Sequence, residues 1–421
     1  MKKSLVFMTL VLWMIAGIFA AGKKESAEGT RGGVTLTVLW FNDANESDVF
    51  LATMQDYLQA NPHIKIDLQV IAFSEYEQKL KMMISGGVPP DAARVTNNNI
   101  STLIDSFLPL ESYIPELEEL KKNYLPSSLA FAMNRQNQMI AFPTEATANG
   151  MLANKTAFKN AGIDVDEVSK TWTWTTWEEM IKKVIAANSA MKYGLAVDFT
   201  NHRFATLMFA FGGRFMNETQ TGMNFSNPGT INTIKFFKSL HDQELIPRSV
   251  WLGSENPAEL FQAGVVACHI GGSWNINTYN QNVKNFEWGA VMTPRGTIVS
   301  SVPGGKFIAS FKGAAHPAEA IALMKAFSDK EHTSRYVRDT FNISSRVDTA
   351  VNYPSNAQDF KVFGDLLKVT PAFTANEMKN PELNTIAIFI RDQVVEVLLG
   401  NSSPETAARN VDEKGAPLFK K

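Results

Sequence analysis

Cysteine is almost absent: Cys268 is the single one in 421 residues. One cysteine cannot close a disulfide within the chain. Its place in the apolar run Val265-Val266-Ala267-Cys268-His269-Ile270 is that of a small buried hydrophobe. A block of basic charge is also missing. Lys and Arg number 40 against 42 Asp and Glu, a formal net charge of −2, and a nucleic-acid partner would require a basic stripe. The six histidines (His63, His202, His241, His269, His316 and His332) are scattered without ligand spacing, so no metal site is expected. There is no Gly-x-Ser-x-Gly elbow, no Walker loop and no Gly-x-Gly-x-x-Gly after a strand. No catalytic residue and no cofactor is nominated. Carboxylates are too frequent for sequence to separate a glycosidase-type pair from ordinary surface acids.

What is present is an ordinary globular composition, 45% hydrophobic and 19% charged, in a chain long enough for two domains. The first residues stand apart. Lys2 and Lys3 precede an apolar run from Leu5 to Phe19, and Ala20 and Ala21 follow. This is the layout of a secretory signal peptide over residues 1–21. The run is shorter than the roughly 20 residues of a spanning helix, although Ile18 or Phe19 stands where a small residue is preferred before the cut. Cleavage removes two lysines and takes the formal charge from −2 to −4. No cysteine stands at the cut to accept lipid, so a soluble periplasmic protein is expected, with residues 22–33 as a flexible mature N-terminus.

Order is predicted to begin at Val34–Phe41, a β-branched, apolar strand. A helix from about Asp48 to Gln59 stops at Asn61-Pro62. A second strand covers Ile64 to Ile71, and an amphipathic helix from Tyr76 to Ser85 ends at Gly86-Gly87. Strand–helix alternation points to a parallel, doubly wound sheet. Beyond it the chain is helix-rich. A helix with a Thr-x-x-Glu capping box starts at Thr175-Thr176-Trp177-Glu178-Glu179. Short strands are read at Lys192–Val197, Gly264–Ile270 and Trp288–Met292.

Several segments, in order, resemble the family 1 extracellular solute-binding proteins. Tyr76, Lys79 and Leu80 with Ile84-Ser85-Gly86 and Pro90-Asp91 resemble its "Y…KL…I.SG..PD" stretch. Leu108-Pro109-Leu110 with Tyr113-Ile114 is similar to "L.PL..YI", and Phe142-Pro143-Thr144-Glu145 to the "Y.P.E" crossover strand. Asn154-Lys155, Ala161-Gly162, Thr176-Trp177-Glu178 and Phe211-Gly212-Gly213 continue the series. Phe261 through Gly272-Ser273-Trp274 is close to "F..G..AM...GSW". Each motif alone is weak; the ordered set is specific. One departure is Met151-Leu152-Ala153 where relatives often carry Tyr-Tyr before Asn-Lys, so the ligand need not match theirs.

The resemblance implies an α/β, type II-like periplasmic binding protein. It has two lobes, each a mostly parallel sheet flanked by helices, and the ligand sits in the cleft between them. Lobe one is expected over 34–142 and 293–343, lobe two over 143–292 and 344–421. The implied partners are a small-molecule ligand, a saccharide above all, and the permease subunits of an ABC importer; a monomer is the default state. Ligands of open α/β sheets lie at the carboxyl ends of strands, and a saccharide calls for aromatic platforms with planar polar groups. That nominates Trp40, Asp43, Asn97, Glu145, Trp274 and Arg346 as ligand-binding. Each has a plainer reading: Trp40 as core, Asn97 as a helix cap, the charged residues as structural pairs. Alternatives are a polyamine, glycerol-phosphate or peptide on the same scaffold, or a secreted carbohydrate-active enzyme. Trp172 and Trp174 have no assigned role.

Overall fold

The computed structural model describes residues 33–42 and 45–419. The signal peptide, all but the last residue of the flexible N-terminal segment, and Asp43 lie outside the described residues. Among the described residues nine strands are joined by hydrogen bonds, seven of them in one continuous path: β1 (Val34–Trp40), β2 (Ile64–Val70), β3 (Ala92–Thr96), β4 (Phe142–Asn154), β5 (Tyr193–Val197), β6 (Val266–Gly272), β7 (Trp288–Val291), β8 (Pro303–Ala309) and β9 (Ile343–Ser344). Their order is β2-β1-β3-β8-β4-β6-β5, with β7 and β9 also on β4. The outer pairs β1–β2, β1–β3 and β5–β6 are parallel, as strand–helix alternation predicts. Every pairing of β4 and β8 is antiparallel, because these strands carry the chain from one half to the other and back.

β4 is the axis of the molecule. Its residues from Phe142 to Ala148 pair with β8, and Glu145 and Ala146 also with β9. From Asn149 onward it pairs instead with β6 and β7. One strand therefore belongs to two sheets, and all 13 of its residues are buried. Around it two hydrophobic cores form, the larger built on Leu36, Val38, Phe307 and many helix side chains. The smaller collects Ala146, Leu152, Phe261, Tyr279 and Phe363 beside the second sheet.

Two residues of the first family-like motif prove to be packing devices. The Tyr76 hydroxyl donates to the Arg94 carbonyl at 2.5 Å, pinning the helix Phe73–Ser85 to the end of β3. Asp91 accepts from the backbone amides of Thr37 and His316, at 2.9 and 2.8 Å, and so ties β1 to the helix Pro317–Phe327. Two expected boundaries shift. The helix expected from Asp48 is two, Glu46–Thr53 and Gln55–Ala60, parted at Met54. The helix expected from Thr175 starts at Trp174, with Thr173 as its cap in a box with Thr176, because these hydroxyls satisfy the first free amides two residues earlier than a box of Thr175 with Glu178 would.

Candidate functional site

The register fixes where a ligand can sit. β3 ends at Thr96, paired with Lys306, which also faces Glu145 of β4. Asn97, Asn42 and the turn after β2 therefore come level with the middle of β4. From the other side β6 runs against β4 and ends at Gly272, opposite Asn149. The Ser273 amide donates to the Ala148 carbonyl at 3.0 Å. The carboxyl ends of both sheets thus meet over Ala146–Ala148, the geometry in which open α/β sheets bind ligands.

On the second sheet this edge carries Trp274, 36% exposed, while Trp40, Trp172, Trp174, Trp177 and Trp251 are buried. Gly272 is what lets the indole lie where it does. A Cβ at that position would stand 2.0 Å from the ring, so only glycine allows the ring to fold back over the strand end. The Arg203 guanidinium lies over the ring, 4.4 Å from its centroid.

Arg203 is itself held by a chain of polar contacts. Its Nε is 3.2 Å from Asp198 Oδ2, and Asp198 Oδ1 is 2.9 Å from His269 Nε2. The Tyr279 hydroxyl lies 2.6 Å from His269 Nδ1. Burial pushes the Asp198 carboxyl up, but the hydrogen bond from His269 and the Arg203 charge outweigh it and hold it below the usual range. An ionised carboxylate only accepts, which places a proton on His269 Nε2. Burial drives the Tyr279 hydroxyl pKa upward, so it stays protonated. Beside it the His202 imidazole is pushed down to about 3 by burial and by the Arg203 charge. Arg203 Nη1 is 3.1 Å from His202 Nδ1. A guanidinium can only donate, so Nδ1 is the bare nitrogen. Asn149 Nδ2 reaches the same atom at 3.0 Å and the His202 carbonyl at 2.8 Å. Trp274 thus rests on a rigid array that runs back to β4.

The first sheet contributes Asn97, half-buried just after β3. The helix there is capped by Thr96 and Asn99 in a reciprocal box, not by Asn97. The Asn97 amide makes no hydrogen bond to another described residue. Gly304 of β8 is its neighbour: a Cβ there would crowd Thr147 Oγ1 at 2.7 Å and meet Asn97 Oδ1 at an ordinary 3.6 Å.

The other nominated residues fare differently. Trp40 is fully buried; its ring stacks on Phe50 at 4.6 Å and meets Phe327 and Tyr336 edge-on, so the apolar strand end is core and offers no platform. Glu145 is fully buried and paired with Arg94 at 3.0 Å and Lys306 at 3.3 Å, which makes it a strut between β3, β4 and β8. Arg346 is also buried. It grips Asp348 through two nitrogens and donates to the Ser328 carbonyl at 2.8 Å. It borders two cavities of about 370 and 500 Å³ that contain neither Trp274 nor Asn97. Trp172 donates to the Met292 carbonyl and Trp174 packs on Trp177 and Phe236, so both are core. Sequence reasoning missed Arg203, Asp198 and His202. The same carboxyl-end rule, applied to the loop after β5, would have found them.

No group of three or more His, Cys, Asp or Glu able to hold a metal occurs among the described residues. No helix among them is long and apolar enough to cross a membrane.

Two α/β sheets sharing a central strand, with their carboxyl ends facing across it, define a two-lobed binding protein of the periplasmic type, with the ligand cleft between the lobes. The chain belongs to the bacterial extracellular solute-binding protein family, whose profile matches residues 52–361. It is 23% identical over 301 residues to the multiple sugar-binding protein of Streptococcus mutans, covering 68% of each chain. It is 21% identical over 309 residues to the sn-glycerol-3-phosphate-binding periplasmic protein UgpB of Pectobacterium atrosepticum, again covering 68% of each. Among solved structures, the sugar-binding protein MalE of Xanthomonas citri superposes with a TM-score of 0.77 at 19% identity, over 92% of this chain and 97% of that one.

Proposed function

We propose that this protein is the secreted substrate-binding subunit of an ABC importer, capturing a saccharide between its lobes and presenting it to a membrane permease without turning it over. The observation that carries the reading is Trp274. A partly exposed indole at the meeting of two strand ends, with the Arg203 guanidinium over its ring, is a platform for the C–H face of a sugar ring. The unpaired Asn97 amide across the cleft supplies both donor and acceptor for hydroxyls. The division into lobes of about 34–142 with 293–343, and 143–292 with 344–421, draws support from the change of partners along β4, which moves the first crossover to the neighbourhood of Ala148. Lys2, Lys3 and the apolar run after them support export by a signal peptide into the periplasm.

A second reading, an anionic solute such as a phosphate ester, is favoured by the Arg203 guanidinium at the cleft and by the likeness to the sn-glycerol-3-phosphate-binding protein. A polyamine is disfavoured, because Glu145 is buried against two cations and Asp198 is paired. The test is a thermal-shift screen of the mature chain against sugars, phosphate esters and polyamines. A ligand present at 100 times its Kd stabilises by about 2.7 kcal/mol. A rise with one sugar class, together with quenching of Trp fluorescence that Trp274→Ala abolishes, supports the proposal. A rise with phosphate esters alone overturns the sugar, and product release from an oligosaccharide overturns the binding role.

A further inference from the structure

The first sheet has an exposed aromatic that the sequence did not single out. Phe73 is 60% exposed at the start of the helix Phe73–Ser85, three residues after β2 ends at Val70. Its position is fixed from two sides. The Ile71 amide donates to the Trp40 carbonyl at 2.8 Å, holding the turn against the carboxyl end of β1. The Phe73 ring lies 5.0 Å from that of Phe41, which is fully buried and has the Arg94 guanidinium 4.5 Å from its centroid. Phe73 is thus an aromatic ring held on a rigid base at the same sheet edge as Asn97.

Strand spacing gives a lower bound on its separation from Trp274, which follows β6 on the far side of β4. β1 stands three places from β4 in the order β1-β3-β8-β4, or about 14 Å at ~4.8 Å per strand. Trp274 follows Ser273, whose amide is bonded to β4 itself. Asn97 follows β3, a strand placed between β1 and β4. The cleft edge therefore presents, in sequence across the sheet, an aromatic, a free amide and an aromatic. A single pyranose is about one strand spacing across and cannot touch both rings.

We propose that Phe73 and Trp274 are the two end platforms of an extended ligand site, with Asn97 reading hydroxyls between them, and that the ligand is an oligosaccharide of roughly three or more units. This rests on the saccharide reading above and adds chain length and a contact on the first lobe. Saturated C–H faces at both ends of the ligand would cover apolar surface that water otherwise meets at Phe73.

The experiment is isothermal titration of the mature protein with linear α-1,4-glucan and β-1,4-mannan series of one to five units. Wild type, Phe73→Ala, Phe73→Tyr and the control Val88→Ala are compared; Val88 is exposed and remote from the cleft edge. The proposal expects affinity to climb with length to about three units and then level off. Phe73→Ala should flatten that climb, weakening the trimer roughly tenfold, while Phe73→Tyr and Val88→Ala retain it. Because Phe73 is largely exposed, an unchanged melting temperature will show that Phe73→Ala is folded. A monosaccharide binding as tightly as the trimer, or a Phe73→Ala variant that keeps the length dependence, overturns the extended site and leaves the saccharide reading standing. Failure of every saccharide to bind, beside a thermal shift with a phosphate ester, overturns both.

Discussion

Replacing Glu145 by glutamine removes one charge from the centre of the molecule and nearly nothing else. The Arg94 guanidinium, with no exposed surface, has Nη2 on Glu145 Oε1 at 3.0 Å and Nη1 on the Phe41 carbonyl at 2.8 Å. Lys306 approaches the same carboxylate oxygen at 3.3 Å from a largely buried position. Two cations therefore converge on one anion in a place that water does not reach. The pair itself adds little net stability relative to an apolar replacement, since desolvation offsets most of the attraction. Breaking it is a different matter, because the buried Arg94 guanidinium loses a charged hydrogen-bond partner that water cannot replace. Losing one partner of such a pair costs about 3–5 kcal/mol.

In a unit of roughly 200 residues, 1 kcal/mol moves the melting point by about 2–4 °C, so Glu145→Gln should lower Tm by about 10 °C. Urea unfolding of the mature chain should show the same loss as a lower midpoint with an unchanged slope. Ligand affinity, corrected for the folded fraction, should hold within about twofold, since the carboxylate reaches no ligand (a change of 0.4 kcal/mol is already that large). A variant that melts within about 2 °C of wild type, the shift below which even 1 kcal/mol is lost, but fails to bind would refute the argument and return Glu145 to the ligand site.

Gly272→Ala should leave the fold intact and weaken ligand binding roughly tenfold or more, because the new methyl stands where the Trp274 ring lies; titration by intrinsic fluorescence measures it, and unchanged affinity counts against the platform. Asp198→Asn should free Arg203 from its anchor and loosen the ring, read as a loss of affinity with a red-shifted Trp emission. The bridge between His332 and the carboxylates of Asp329 and Asp56 should make stability depend on pH. The hydrogen bond to Asp329 foremost, against burial and with help from Asp56, raises the His332 pKa, so its contribution is complete below the unfolded value of about 6.5 and disappears as pH rises through the higher folded value. Asp56, held at about 2 chiefly by Arg335, contributes above about 4 and loses that contribution as pH falls towards 2. His332→Ala should therefore cost most between about pH 4 and 6.5 and nothing near pH 9, by no more than about 1 kcal/mol because Asp56 and Asp329 are half exposed. Equal losses in denaturant melts at pH 5 and pH 9 would show that the bridge is irrelevant.

The contrast between Trp40 and Trp274 shows what a sequence of this kind conceals. Trp40 ends one apolar strand, Trp274 follows another, and the carboxyl-end rule points to both. What separates them is who covers the strand end. Phe50, Phe327 and Tyr336 come from helices just after and far beyond β1 and close over Trp40, whereas Gly272 lets the Trp274 ring lie back on its own strand end. Coverage of this sort is a long-range property, absent from periodicity and from motif spacing. The same holds for charge. Glu145 reads as a polar group beside a crossover, yet its partners Arg94 and Lys306 are 51 and 161 residues away in sequence. Strands and helices were legible because alternation and caps act over a few residues, and the ordered motifs were legible because they hold those elements together. Phe73 passed unnoticed for the opposite reason: next to Ser74-Glu75-Tyr76 it looks like the first apolar residue of an amphipathic helix. Only the register that sets β2 beside β1, and β1 three places from β4, turns that side chain outward along the edge where Trp274 stands. A site built across a sheet is written in the order of strands, and strand order is the part of this fold that no single segment encodes.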